Sequence, residues 1–152
     1  MSFFGTLNIS ATGLTVQRAR MDVHAQNLAN VDTTRTPEGG PYLRRAVVIE
    51  ERGRTIGGNS FAAIFNNALR RGNGSGGGVR VHSIREDDTM GPKTYDPGHP
   101  DADAQGYVQR PNVNVVAEMV NMISATRSYE ANITAMNATQ QMMQRTLEIS
   151  GR

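Results

Sequence analysis

Several residue types that stabilise small proteins are scarce in this 152-residue chain. It contains no cysteine, which excludes disulfide bonds and thiolate metal sites. It contains no tryptophan, and only 38% of its residues are hydrophobic, below the roughly 45–50% of average soluble chains. Because these hydrophobic residues concentrate near the two termini, we do not expect a large central core.

Long apolar runs and strong charge are absent as well. No run of about 18 apolar residues exists, so no transmembrane helix is expected. The N-terminus, residues 1–5, lacks the basic and apolar regions of a cleavable signal, so any export would use another route. The net charge is +2, and Arg44-Arg45 and Arg70-Arg71 are isolated basic pairs. A nucleic-acid-binding face is therefore not expected.

Both ends of the chain carry a heptad pattern, in which steps of four and three residues alternate. This spacing is typical of helices that pack along other helices. The N-terminal seam comprises Leu7, Ala11, Leu14, Arg18, Met21, Ala25 and Leu28. The C-terminal seam comprises Val115, Met119, Met122, Thr126, Tyr129, Ile133, Met136, Gln140, Met143 and Leu147.

From the two seams we predict a mainly α fold, with helices at 6 to about 30 and about 115–149. Asn112 or Asn114 would cap the second helix. The helices would form a coiled-coil core by pairing with each other and with neighbouring subunits. We assign the subunit interface to Asn27 and Asn30 and to the large seam residues Leu7, Leu14, Met21, Leu28, Val115, Met119, Met122, Tyr129, Ile133, Met136, Met143 and Leu147.

Between the helices, residues 31–110 are predicted to be a small β-rich or irregular middle segment. Strand-like patterns occur at 42–50, 79–84 and 105–110. A flexible glycine-rich insertion at about 52–78 separates the first two, and residues 61–69 within it could form a short helix. The predicted organisation is thus an N-terminal segment 1–30, a middle segment 31–110 and a C-terminal segment 111–152.

Catalytic or metal-binding chemistry has few candidates in this sequence. Residues 72–77 match the spacing G-x-G-x-x-G, but no helix follows to hold a phosphate, which favours a flexible loop. The side chains of Asp96, His99, Asp101 and Asp103 could bind a divalent ion. The prolines and glycine among them favour a turn instead. His24 adjoins the N-terminal seam and is predicted to face an interface or solvent.

Longer motifs resemble a known family. Residues 27–33, Asn-Leu-Ala-Asn-Val-Asp-Thr, follow the N-terminal helix and resemble the signature of bacterial flagellar rod and hook proteins. Residues 95–103, 106–108 and 111–114, followed by Glu118-Met119-Val120 and residues 127–132, are similar to the proximal-rod proteins of the FlgC type. The resemblance covers nearly the whole chain apart from about 52–78.

This resemblance implies a structural subunit of the flagellar basal body, with no enzymatic activity and no cofactor. The paired terminal helices would be a D0-like core that lines a hollow axial rod crossing the periplasm. That rod would transmit motor torque and leave a channel for exported subunits. The implied partners are other rod proteins, the adaptor between rod and membrane ring, and the flagellar type III export apparatus.

Three other interpretations remain open at this point. The chain could be another axial protein, such as a distal rod or hook subunit, although hook proteins carry larger inserted domains. It could be a metal-dependent enzyme that uses Asp96, His99, Asp101 and Asp103. It could also be a soluble coiled-coil adaptor, which would form a stable discrete oligomer in solution.

Overall fold

A computed structural model describes residues 3–52 and 77–150 of the chain. Helix α1 spans Phe3–Ala29, and helix α2 spans Val115–Ser150. Strands β1 (Arg45–Arg52) and β2 (Gly78–Glu86) form one two-stranded sheet, and β3 (Lys93–Tyr95) and β4 (Tyr107–Gln109) form another. Within these ranges, neither helix combines the length and the hydrophobicity of a membrane-spanning segment. The predicted helix at 61–69 and most of the loop at 72–77 lie outside the described residues.

The two long terminal helices and the strand-containing middle confirm the predicted fold class. Helix α1 begins three residues earlier than predicted, and α2 ends one residue later. Strands β1, β2 and β4 fall where the sequence predicts them, whereas β3 was not predicted. Coiled-coil pairing of the helices and the division into three sequence segments stay predictions.

The chain divides into two compact units, and the first comprises Met1–Gln17, Ile49–Val81 and Arg127–Arg152. Here α1 lies close to α2, since a Cβ atom at Gly13 would lie 3.1 Å from Nδ2 of Asn132. The backbone N–H of Val79 donates to Oγ1 of Thr12 at 3.2 Å, and Gly78 packs directly against that threonine. The absence of a side chain at positions 13 and 78 therefore permits the close approach of α1 to its neighbours.

The second unit comprises Arg18–Val48 and His82–Thr126. Within it the two helices run antiparallel: the Thr126 hydroxyl contacts the sulfur of Met21 at 3.4 Å, and Glu118 contacts His24 further along α1. Val23 of α1 and Ala125 of α2 are buried here, at 3% and 0% exposure. The apolar core of this unit is small, so polar contacts carry much of its organisation.

Strands β3 and β4 form an antiparallel hairpin in the second unit, with Lys93 opposite Gln109, Thr94 opposite Val108, and Tyr95 opposite Tyr107. The two tyrosine rings meet edge to face, with their centroids 5.3 Å apart. Gly106 closes the connection with a φ of +80°, and a Cβ there would lie 2.9 Å from the Tyr95 ring. Only glycine meets both constraints without strain.

Asn114, and not Asn112, caps α2. The Oδ1 atom of Asn114 accepts the backbone N–H of Ala117 at 3.0 Å. The backbone carbonyl of Asn114 accepts the backbone N–H of Glu118 at 2.9 Å. Asn112 instead joins the residue before β1 to the residue after β2: its side chain accepts the N–H of Arg44 and donates to the carbonyl of Asp87. The side chain of Asn112 is therefore engaged two residues before the cap.

We expect Asn114→Ala to lower the free energy of unfolding by about 1 kcal/mol, because the N–H of Ala117 loses its acceptor. Asn114→Asp should retain most of the stability, since a carboxylate also caps the helix N-terminus. Urea titration followed by far-UV circular dichroism measures both variants. Equal losses in the alanine and aspartate variants would contradict the capping role.

Candidate functional site

A buried carboxylate lies at the start of α2, within the second unit. Glu118 is only 1% exposed and is the one acidic residue in the first turn of the helix. An anionic side chain is favourable there because the helix N-terminus carries partial positive charge. A buried carboxylate also requires hydrogen-bond donors, since desolvation without partners is costly. The surrounding side chains supply them.

Three side chains converge on the Glu118 carboxylate. Nδ1 of His24 lies 2.6 Å from Oε2, and Nδ2 of Asn27 donates to the same oxygen at 3.0 Å. Nε of Arg44 donates to Oε1 at 2.7 Å. We call these four residues the Glu118 junction. It joins the end of α1, the segment preceding β1 and the start of α2.

Asn27 extends the Glu118 junction to the backbone. It is fully buried, and its Oδ1 accepts both the Tyr42 hydroxyl and the backbone N–H of Arg45, each at 2.9 Å. Its Nδ2 also donates to the Arg45 carbonyl at 2.8 Å. The side-chain amide thus forms a pair of hydrogen bonds with one residue of β1, as a neighbouring strand would. This fixes the position at which the chain enters β1 after leaving α1.

Opposing effects act on the pKa of Glu118. Burial raises the pKa, but hydrogen bonds from Asn27, His24 and Arg44 outweigh burial and hold it below its usual value. The carboxylate is therefore ionised when the protein is folded near neutral pH. The arrangement is suited to holding three chain segments together, because both oxygens of the Glu118 carboxylate are engaged in doing so.

His24 corrects one sequence interpretation. It was predicted to face an interface or solvent, but it is 8% exposed and contacts Glu118. The large residues of the heptad pattern do not form the most buried side of α1. The buried positions on that helix include Val16, Val23 and Asn27. The spacing of His24 and Asn27, three residues apart on one helix face, was the available signal.

Most of the predicted interface residues are half-buried in the single chain. Asn27 is buried, whereas Met119 and Leu147 are exposed, at 42% and 64%. The remaining members are half-buried, namely Leu7, Leu14, Met21, Leu28, Asn30, Val115, Met122, Tyr129, Ile133, Met136 and Met143. In a single chain these side chains retain surface that a neighbouring subunit could cover. Their role in subunit contacts stays a prediction.

The candidate metal ligands are engaged in hydrogen bonds within the protein. Oδ1 of Asp103 accepts the backbone N–H groups of Gln105 and Tyr107, both at 2.9 Å, and the Tyr107 bond is the main cause that lowers the pKa of Asp103. Oδ2 of Asp101 accepts the Thr34 hydroxyl at 2.8 Å. Among residues 3–52 and 77–150, no group of three or more such side chains is arranged to hold a metal ion.

Comparisons with known proteins identify the family of this chain. Residues 7–35 match the family model described as "Flagella basal body rod protein", and residues 104–149 match "Flagellar basal body rod FlgEFG protein C-terminal". These matches cover most of α1 with the segment after it, and β4 with nearly all of α2.

Full-length relatives share the name "Flagellar basal-body rod protein FlgC". The Bacillus subtilis protein is 49% identical over 98% of this chain and 99% of its own length. The Borreliella burgdorferi protein is 45% identical and the Salmonella typhimurium protein 39% identical, each over 98% of both chains. With this identity over nearly its whole length, the chain belongs to the FlgC family of flagellar basal-body rod proteins.

Proposed function

We propose that this chain is a structural subunit of the flagellar basal-body rod. Copies polymerise through their paired terminal helices into the hollow axial shaft that transmits torque for motility. Membership of the FlgC family supports the role and the location in the basal body. The relatives are named as rod proteins and not as enzymes, so the role we assign is structural.

One observation carries the assembly mechanism: large apolar side chains remain exposed along both terminal helices. Phe4 of α1 is 74% exposed, and on α2 Val116, Leu147 and Ile149 are 68%, 64% and 78% exposed. Apolar surface that recurs along a helix marks a contact site more often than isolated exposed residues do. A rod built from such helices spreads a shear load over many small contacts, which suits torque transmission.

The Glu118 junction supports the same role from inside the subunit. A torque-bearing subunit needs its helices held firmly to the segments that project from them. The junction provides this with an ion pair between Arg44 and Glu118 and with buried hydrogen bonds. Buried polar networks fix one arrangement of the chain when all their members are satisfied. We infer that the junction keeps the terminal helices in the orientation that polymerisation requires.

The partners that we propose are the other rod proteins, further copies of this chain, and the adaptor between the rod and the membrane ring. We further propose delivery by the flagellar type III export apparatus. The half-buried seam residues support a role in subunit contacts, since each retains exposed surface in the single chain.

Assembly can be tested with Met119→Asp and Leu147→Asp, which change exposed seam residues. We expect both variants to accumulate normally and to fail to restore rods and swimming in cells that lack the native gene. A buried carboxylate without a partner would disfavour the subunit contact by several kcal/mol, roughly 100-fold or more in affinity. Electron microscopy of isolated basal bodies is the measurement.

Gln141→Asp provides the control, because it introduces the same charge at an exposed polar position of α2. This variant should retain rods. Normal swimming by the Met119 and Leu147 variants would sink the assignment of the seams to subunit contacts. Failure of the unmodified chain to restore rods would sink the proposed function itself.

A further inference from the structure

One exposed side of α2, which we call its outer face, carries apolar residues followed by charged residues. Val116, Val120 and Ile123 are 68%, 59% and 55% exposed, and they follow one another at steps of four and three. The same spacing continues to Arg127 and Glu130, which are also exposed. At 3.6 residues per turn these positions share one side of the helix, about half a turn from buried Glu118 and Ala125. The outer face is therefore apolar at its start and charged further along.

The outer face of α1 carries small residues where the outer face of α2 carries large apolar ones. It comprises the exposed residues Ala11, Thr15, Arg18, Asp22, Ala25 and Ala29, again at steps of four and three. It lies about half a turn from buried Val16 and Val23. Small side chains flank one positive and one negative charge. No ion pair within the described parts of the chain involves Arg18, Asp22, Arg127 or Glu130.

We propose that the outer face of α2 docks antiparallel on the outer face of α1 of a second copy of this chain. This rests on the proposed function and specifies its register. The contact pairs Arg18 with Glu130, Asp22 with Arg127, Ala25 with Ile123, and Ala29 with Val120. The axial positions of these pairs agree to within about 1.5 Å, the rise of one residue.

Charge and size both favour this register. Antiparallel docking in this register places both exposed charges of α1 opposite their counterparts, whereas the parallel register that aligns the two charged pairs would place Arg18 against Arg127 and Asp22 near Glu130. Like charges across an interface suppress the wrong arrangement. The alanines at 25 and 29 leave room for the larger side chains of Ile123 and Val120. Large residues packing over small ones allow close helix approach.

The contact also has the geometry that a polymer needs. Each copy presents α2 to one neighbour and receives α2 of another neighbour on its α1. Such a contact uses two different surfaces and is heterologous, so it extends into an open assembly unless the rotation closes a ring. Because α1 and α2 are antiparallel within the second unit, successive copies would have the same polarity.

Disulfide cross-linking between two tagged copies tests the register. The natural chain has no cysteine, so every disulfide of this chain must form at an introduced cysteine. One copy carries Ala25→Cys and the other Ile123→Cys, both expressed in cells that lack the native gene. Basal bodies are purified, oxidised and run on a non-reducing gel. We expect a disulfide-linked dimer that contains both tags.

Val116→Cys in place of Ile123→Cys is the matched control, since it lies on the same face about 10 Å further along the axis. That exceeds the roughly 7 Å between Cα atoms that a disulfide can bridge. Equal cross-linking of both pairs overturns the register. So does the absence of the Ala25–Ile123 dimer in assembled rods, or cross-linking of these cysteines to a different protein.

Charge reversal gives a second test that needs no disulfide. Arg18→Glu and Glu130→Arg each place like charges together, and each should weaken the contact by about two- to fivefold. The double variant restores an opposite pair and should recover rod number and swimming. A double variant no better than the worse single variant overturns the proposal but leaves the proposed function standing. If the unmodified chain forms no rods, both fail.

Discussion

Glu118→Ala is expected to lower the free energy of unfolding by about 3–5 kcal/mol. The substitution removes the acceptor that His24, Asn27 and Arg44 share, and it leaves their donors next to a cavity. Breaking a buried ion pair from one side is costly because the remaining charge has lost its counterpart. Chemical unfolding of the purified chain, followed by far-UV circular dichroism, measures the loss. Swimming should be lost as well, since the junction orients the helices.

Two other substitutions make this result specific. Glu130→Ala removes a carboxylate from the same helix at an exposed position, and it should change stability by no more than about 0.5 kcal/mol. Glu118→Gln keeps the shape of the side chain but lacks the charge, so its loss should lie between those of the two alanine variants. If Glu118→Ala is as mild as Glu130→Ala, the junction does not stabilise the fold.

The pH dependence of stability follows from the lowered pKa of Glu118. A carboxyl group whose pKa is lower in the folded state stabilises the fold above its ordinary pKa. That contribution is lost as the pH falls through the lowered pKa. We therefore expect the natural chain to lose stability on acidification more steeply than Glu118→Gln. If the free energy of unfolding fell equally steeply with pH in both proteins, the lowered pKa of Glu118 would not be the cause.

The sequence predicted the terminal helices well because their signals are local. Long stretches without proline, heptad spacing and an asparagine ahead of the second helix all act within a few residues. The boundaries of α1 and α2 therefore differ from the prediction by at most three residues. Strand β3 was missed because three residues carry too little pattern, and pairing with β4 determines it.

The Glu118 junction could not be predicted because its members are far apart in the chain. His24 and Glu118 are separated by 94 positions, and Arg44 and Glu118 by 74. No spacing rule connects residues at such distances, and a lone histidine or glutamate on a helix is ordinarily solvated. The seam pattern predicts that the terminal segments pair, and their coiled-coil pairing stays a prediction. It does not identify the most buried positions of α1, because polar residues share those positions with apolar ones.

Asn27→Asp should lower the free energy of unfolding nearly as much as Glu118→Ala does, although it only replaces the side-chain amide nitrogen with an oxygen. The amide nitrogen of Asn27 donates to Glu118 at 3.0 Å and to the Arg45 carbonyl at 2.8 Å. A carboxylate oxygen in that place donates to neither and puts two negative charges in contact. We expect a loss of about 2–4 kcal/mol near neutral pH, from unmade hydrogen bonds and charge repulsion. Asn137→Asp, at an exposed position of α2, is the matched control and should be neutral.

Lowering the pH should narrow the difference in free energy of unfolding between Asn27→Asp and the natural chain. Two carboxylates that share a buried site have one strongly raised pKa, so the variant binds a proton on folding. A raised carboxyl pKa makes folding more favourable as the pH falls, the opposite of the effect at Glu118 in the natural chain. The added proton also restores a donor between residues 27 and 118. Urea titrations across a pH series measure this difference, and a gap that widens on acidification would contradict direct contact between the two side chains.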